Sequence, residues 1–372
     1  MNKRSYVYLD LGFYGPCNLR CAYCRTDFVR DDGKWPLASL MRQIDLFQLN
    51  YKAAVAKTSG YGEITIWHGF REFLAFLSER MPSVQIITNG TFDSVVAEAL
   101  LSNANVSPNL TIDGHTLVMN QLRVYDSTKL HDRILDNLRI LVQGGRRVEI
   151  NCVLHEHNAA NLRAFCQYLA EHYDGRVMLF PYPARSFALA PGVGSHGARH
   201  IAFLADELPL IAEDFQSILP PRPYIDELQA FLIHGRRQTP CYVHWTNLGS
   251  GSRNERLYCA NYGEDLSYGP MEIMLADSDG RIAQKELEHF SVGAVGPRCN
   301  DCFNHYHIIG HFLNGGITLD EVQCVPSLGL PGVRDILIEI KAVFTTLRGQ
   351  MTTGVREERL GPSGLGSPRD AI

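Results

Sequence analysis

Residues 11–26 read LGFYGPCNLRCAYCRT. Cys17, Cys21 and Cys24 stand in a Cys-x3-Cys-x2-Cys spacing, with Tyr23 just before the third. The strand-like run Tyr6 to Leu11 (YVYLDL) leads into this loop. Thiolate sulfur is a soft ligand suited to iron–sulfur clusters and to zinc. Three thiolates from one short loop can hold three corners of a cube-shaped 4Fe–4S cluster and leave its fourth iron open. A closed four-thiolate site instead stores structure or carries electrons. Taken alone, the loop also admits a structural zinc knuckle or three unrelated buried cysteines.

The 372 residues suit one large domain with a smaller one, or two moderate ones. A net charge of −5 gives no bulk electrostatic reason to expect a nucleic-acid partner. No apolar run is long enough to span a bilayer, and the start MNKRSYVYLDL lacks the apolar core and cleavage site of a signal peptide. A cytoplasmic location is expected, where thiols stay reduced and ten cysteines point to metal ligation more than to disulfides. Three cysteines cluster at the start, five lie between Cys241 and Cys324, and only Cys152 and Cys166 fall between.

Outward from the loop, the apolar spacing of Leu37, Leu40, Met41, Ile44 and Phe47 predicts a helix from Trp35 to Ala56. The glycine-rich turn Thr58 to Trp67 (TSGYGEITIW) follows. Further helices are expected over Phe70–Arg80, Asp93–Ser102, Ser127–Gln143 and Ala160–His172. Strands are expected over Val84–Thr88, Asn109–Asp113, Val148–Leu154 and Val177–Phe180. Six strand–helix alternations argue a parallel sheet with right-handed crossovers. Active sites gather at the carboxyl ends of such strands. The cysteine loop, Glu63, Asn89, Asp113, Asn151 and Tyr182 all fall at such ends.

The chain resembles the radical SAM superfamily, whose signature is Cys-x3-Cys-x-aromatic-Cys on the loop after the first strand of a partial barrel. Cys17, Cys21, Tyr23 and Cys24 match it residue by residue. The resemblance implies an α/β fold, a partial (β/α)6 TIM-like barrel. It implies a 4Fe–4S cluster on Cys17, Cys21 and Cys24 whose open iron binds S-adenosylmethionine (SAM). It also implies reductive cleavage of SAM to methionine and a 5′-deoxyadenosyl radical, which abstracts hydrogen from the substrate. Gly60, Gly62 and Glu63 resemble the turn that binds the SAM amino group, although Tyr61 separates the glycines and Ile64 replaces a proline. IITNGT, with Asn89, resembles the third strand and its loop, and IDGHT the end of the fourth. By the same resemblance Tyr23 meets adenine and Arg123 the SAM carboxylate. Thr111 and Asp113 face the ribose or a substrate hydroxyl, and Asn151 the ribose.

Cys241, Cys259, Cys299 and Cys302 form a second set, Cys-x17-Cys and a later Cys-x2-Cys. Four thiolates in two pairs can close a tetrahedral zinc site or hold a second 4Fe–4S cube. A hairpin is expected between the pairs, with a strand at Met271–Leu275 and an Asp-Gly turn. The set is similar to the C-terminal SPASM or twitch extension of some radical SAM enzymes. With Ile308 where a further cysteine would stand, it fits twitch and one auxiliary cluster. Cys324 is a reserve ligand, and His305 and His307 are the residues that could complete a zinc site instead.

The expected domains are a barrel over 1–200, a helical bridge over 201–235 and an auxiliary domain over 236–330. A C-terminal helix over 331–350 and a disordered tail over 351–372 complete the chain. The resemblance implies a flavodoxin- or ferredoxin-type electron donor. Two substrate classes stand. A polar small molecule, sugar- or aminocyclitol-like, is favoured by the twitch-like spacing and by a start with no room for a leader-peptide-binding domain before Cys17. The other is a peptide or protein side chain. A zinc-stabilised, non-catalytic binding protein is the remaining alternative.

Overall fold

The computed structural model describes residues 3–13, 15–24, 37–60, 62–124, 127–173, 175–184, 198–250, 255–257, 267–270, 299–300 and 302–358. The first half alternates strand and helix. It runs β1 (Arg4–Phe13), α1 (Leu37–Asn50), β2 (Tyr51–Gly60), α2 (Phe70–Arg80), β3 (Ser83–Thr88), α3 (Ser94–Ser102) and β4 (Val106–Thr111). A short α4 (Gln121–Val124) precedes α5 (Thr128–Gln143), β5 (Val148–Leu154), α6 (Leu162–Tyr173) and β6 (Val177–Pro183). Two helix starts are fixed by side-chain caps. Asp93 accepts from the Val96 amide at 3.0 Å and Ser127 from the Leu130 amide at 3.4 Å.

The second half holds α7 (Leu208–Asp214), α8 (Arg222–His234), α9 (Val243–Thr246), β7 (Asn247–Ser250), β8 (Glu255–Leu257) and β9 (Ser267–Pro270). It ends with α10 (His307–Asn314), α11 (Leu319–Val322) and α12 (Val333–Glu358).

One sheet runs in the order β6-β5-β4-β3-β2-β1-β7-β8-β9. From β6 to β7 every pairing is parallel, so seven parallel strands form a curled half-barrel; β8 and β9 continue it antiparallel. Register pairs the last residues of β1 and β2, Phe13 and Gly60, and sets Thr111, the last residue of β4, against Asn151 in the middle of β5. All seven residues of β5 are buried, as expected of a parallel strand covered on both faces.

Three expectations change. The helix expected to reach Ala56 stops at Asn50, and Tyr51–Gly60 is β2. Its alanines and lysines favour helix in isolation, but this segment is hydrogen-bonded between β1 and β3, and the sheet wins. Six strands become seven, because β7 adds to the free edge of β1. The last helix continues through residues 349–358, where a disordered tail was expected from 351. Once nucleated over Val333–Arg348 it extends at small cost per residue, and a Cβ at Gly349 would meet nothing. The hairpin expected at Met271–Leu275 lies outside the described residues.

The interior of the half-barrel is polar. Gln85 donates to Glu149 at 2.6 Å and Asn109 to the same oxygen at 3.2 Å. Lys57 pairs with Asp10 at 3.9 Å, both buried. The C-terminal segment fills this lumen. The Ser327 amide donates to Glu149 at 2.7 Å, Ser83 Oγ donates to the Ser327 carbonyl at 2.8 Å, and Tyr306 donates to Asp10 at 2.5 Å. α12 packs on β1 and β2, and Phe344 meets the rings of Tyr242 and Trp245. Among the described residues, no helix is long and apolar enough to cross a membrane.

Candidate functional site

The cysteine loop leaves β1 at Phe13 and lies against the turn that follows β2. A Cβ on Gly62 would stand 2.7 Å from the backbone nitrogen and oxygen of Gly15 and 2.9 Å from the Phe13 ring. Only glycine permits that approach, and the Glu63 amide closes it by donating to the Pro16 carbonyl at 2.9 Å. The Glu63 side chain is buried and engaged within the protein. One carboxylate oxygen accepts from the Thr65 amide at 3.1 Å, the Thr65 hydroxyl at 2.5 Å and the Thr88 hydroxyl at 2.7 Å. The other accepts from the Asn89 amide at 2.6 Å. Burial pushes the Glu63 carboxyl up, against hydrogen bonds that favour its charged form. Glu63 therefore ties the end of β3 to the turn after β2.

Asn89 passes this tie to the cysteines. Its side-chain Nδ2 donates to the Asn18 side-chain oxygen at 2.8 Å and approaches Cys17 Sγ at 3.8 Å. The Leu19 amide donates to the same sulfur at 3.4 Å. A second set of bonds holds the far side of the loop to the segment after β4. The Ala22 amide donates to the Leu122 carbonyl at 2.8 Å, and the Tyr23 hydroxyl donates to Asp113 at 2.8 Å. Asp113 is fully buried. It also accepts from the Val153 amide at 3.0 Å and has His155 Nε2 at 3.6 Å. Its own amide donates to Asn120 Oδ1 at 3.0 Å, and Asn158 donates to its carbonyl at 2.9 Å. The Tyr23 ring stacks on His155 at 6.2 Å.

Arg123, on α4, is 1% exposed. It donates to the Thr111 carbonyl through Nη1 and to the Asn89 carbonyl through Nη2 at 3.3 Å. Cys24 is placed by a turn in which its amide donates to the Cys21 carbonyl at 3.0 Å. Gly60 ends β2 opposite Phe13. Asn151, on β5, is 3% exposed, and its Oδ1 has no hydrogen-bond partner.

Cys17, Cys21, Cys24, Tyr23, Gly60, Gly62, Glu63, Asn89, Thr111, Asp113 and Arg123 thus all lie at or just after the carboxyl ends of β1 to β4, while Asn151 lies mid-strand on the adjoining β5. Asn18, Thr88, Asn120, His155 and Asn158 complete the network. Asn18 and Thr88 lay within the stretches that carried the sequence reading. Asn120, His155 and Asn158 follow β4 and β5 with no local signal, and only tertiary contact reveals them.

Cys17, Cys21 and Cys24 are all partly exposed residues. Burial pushes the Cys17 and Cys21 thiols up, so forming thiolates there needs a compensating positive charge, which iron supplies. Among the described residues, no three His, Cys, Asp or Glu side chains converge as ligands of a single metal ion. A cube-shaped cluster takes its thiolates at separate corners and does not require that convergence. The soft donor set and the orphaned Asn151 oxygen fit a cluster carrying an organic ligand.

In the second set, Cys241 is pushed up to about 11 by burial, with Cys302 and Cys299 close enough to add to the effect. Asn304 donates to Cys302 Sγ at 3.3 Å. Cys259 lies outside the described residues. Cys324 is exposed, beside Arg147 at the start of β5. His305 faces Lys57 at 3.2 Å, and His307 faces Glu227 at 3.3 Å.

No protein-family model matches the chain. A stretch of 130 residues, 35% of the chain, is 28% identical to neomycin C epimerase of Streptomyces fradiae and covers 42% of that protein, less than half its length. The fold is similar to Streptococcus suis SuiB bound to S-adenosylmethionine, with a TM-score of 0.57 and 13% identity over 76% of this chain and 68% of that one. It is also similar to anSMEcpe with bound AdoMet and the Kp18Cys peptide, with a TM-score of 0.55 and 16% identity over 80% of this chain and 86% of that one. At these identities the likeness to the two solved structures is one of fold.

Proposed function

We propose that this chain, which has the radical SAM half-barrel fold, is an enzyme of that superfamily that cleaves S-adenosylmethionine and abstracts hydrogen from a polar small molecule. One observation carries the reading. The three-cysteine loop sits at the carboxyl end of β1, held on one side by the Gly62–Glu63 turn and on the other by the segment after β4. When bound, a 4Fe–4S cluster and SAM supply the electron and the 5′-deoxyadenosyl radical that removes the hydrogen.

The protein's part is placement. Cys17, Cys21 and Cys24 hold three corners of the cluster and leave the fourth for SAM. The Gly60–Gly62 turn offers backbone to the SAM amino group, while Glu63 fixes that turn from behind. Asn151 directs its unpaired oxygen to the ribose, and the half-exposed Tyr23 ring borders the adenine. Cys241, Cys259, Cys299 and Cys302 would hold an auxiliary cluster, which would supply a one-electron acceptor. A flavodoxin- or ferredoxin-type protein delivers the initiating electron.

The small-molecule reading is supported by the local identity to neomycin C epimerase. A peptide substrate is the second reading, supported by the neighbour solved with a peptide. The test is turnover with aminocyclitol glycosides, or with cysteine-containing peptides, deuterated at the candidate carbons. Deuterium appearing in 5′-deoxyadenosine from a glycoside supports the first reading. Deuterium transfer from peptides alone overturns it.

A further inference from the structure

His155 is the first residue past β5 and is fully buried. Its backbone amide donates to Asn158 Oδ1 at 2.8 Å, and Asn158 Nδ2 donates to the Val153 and Asp113 carbonyls, each at 2.9 Å. These bonds tie the turn to β5 and to the segment after β4. The His157 amide donates to His155 Nδ1 at 3.2 Å. A ring nitrogen that accepts carries no proton, so the imidazole proton sits on Nε2. Nε2 faces Asp113 Oδ2 at 3.6 Å and makes no hydrogen bond. An aliphatic side chain would fill this space without burying a donor that makes no hydrogen bond. What the imidazole adds is a flat face, and the Tyr23 ring stacks on it, with centroids 6.2 Å apart and planes 30° from parallel. His157 meets the same imidazole at 5.7 Å and 66°.

We infer, on the proposal above that this chain binds SAM, that His155 is a positioning residue for the adenine ring, acting through Tyr23. The Tyr23 hydroxyl is spent on Asp113 at 2.8 Å, so it has no proton left to donate to a ligand. Tyr23 is nonetheless partly exposed, and the ring surface that His155 does not cover is left for a base. A ring anchored at its hydroxyl and backed by a buried face is already set for stacking. It loses little freedom when the adenine arrives. Without the backing face, the ring can tilt about its anchored hydroxyl, and stacking depends on that tilt. The amino and carboxylate end of SAM lies outside this chain of contacts, so its binding does not depend on His155.

The experiment compares wild type, His155→Leu and His155→Phe after anaerobic reconstitution. The ligands are SAM and methionine, which has the amino and carboxylate groups but no adenine. The change each induces in the EPR signal of the reduced cluster gives its affinity. His155→Leu, which fills the space without a flat face, is expected to weaken SAM about fivefold to tenfold. Methionine affinity should change less than about twofold, and iron content should stay at the wild-type level. His155→Phe, which restores the face without the nitrogens, is expected to recover most of the SAM affinity. Equal losses for SAM and methionine in His155→Leu show general damage to the site and overturn the inference. So do equal SAM losses in both variants, unchanged SAM affinity in His155→Leu, or a His155→Leu protein that takes up no iron. A wild-type protein that loads iron and gives no EPR response to SAM overturns the SAM reading itself, a result separate from any difference between the variants.

Discussion

Gly62→Ala tests whether the turn after β2 is built to fit the cysteine loop. The added methyl would sit 2.7 Å from Gly15 N, 2.7 Å from Gly15 O and 2.9 Å from Phe13 Cδ1. Two of these three atoms are backbone and cannot swing aside, so turn and loop must separate. Overpacking of this kind costs about 1–3 kcal/mol. The separation also strains the 2.9 Å bond from the Glu63 amide to the Pro16 carbonyl, worth about 1 kcal/mol. The apoprotein should lose at most about 2–4 °C of Tm per kcal/mol, as expected for a large domain. Iron uptake should fall further than stability does, because the displaced segment carries Cys17. Calorimetry of the apoprotein and iron analysis after reconstitution measure the two effects. A Gly62→Ala protein with wild-type Tm and full iron would show that the close contact is not needed, and the docking argument would fail.

Asp113→Asn leaves one acceptor oxygen where the carboxylate serves both the Tyr23 hydroxyl and the Val153 amide. It should cost about 1–3 kcal/mol and lower iron uptake, and chemical denaturation of the apoprotein checks the first of these. Acid should weaken the packing of α8 on α10. Burial raises the Glu227 carboxyl, but His307 and His311 outweigh it and hold it at about 2, below its usual 4.5. A depressed carboxylate stabilises the fold above its unfolded pKa and loses that contribution as pH falls from about 4.5 toward 2. Burial also lowers the His307 pKa from 6.5, so its contribution is lost in the same direction as pH falls. Glu227→Gln should flatten the stability profile in the acidic limb, and pH-dependent Tm values read this directly. Cys302→Ala should roughly halve the iron content, from about eight to about four per chain, while sparing slow SAM cleavage. Full substrate turnover by that variant would remove the electron-acceptor role from the second cysteine set.

The parts of the fold legible in the sequence were those with one clear period. Phe70–Arg80 and Val148–Leu154 appear with the bounds expected, since each carries an unbroken helical or β-branched pattern between turn residues. β2 was not legible, because YKAAVAKTSG is helix-forming by composition and strand only by its neighbours. β7 was hidden by its four-residue length and its glycine. The site divides in the same way. The cysteine spacing, the glycine turn and IITNGT marked the strand ends. Sequence could not show that the Glu63 and Asp113 carboxylates would be consumed by Thr65, Thr88, Tyr23 and Val153. Those partners come from different strands, and their convergence is a property of the closed half-barrel. The same holds for Arg123. It reads as a solvated helix residue or a cofactor ligand, and folding buries it against the Thr111 and Asn89 carbonyls.

The central claim is that Cys17, Cys21 and Cys24 carry a cluster that cleaves SAM. The direct measurement is anaerobic reconstitution, addition of dithionite and SAM, and quantification of 5′-deoxyadenosine beside a Cys24→Ala control. The account predicts a brown, iron-loaded protein that releases 5′-deoxyadenosine, with release abolished in Cys24→Ala. A colourless protein holding stoichiometric zinc and releasing none would contradict it.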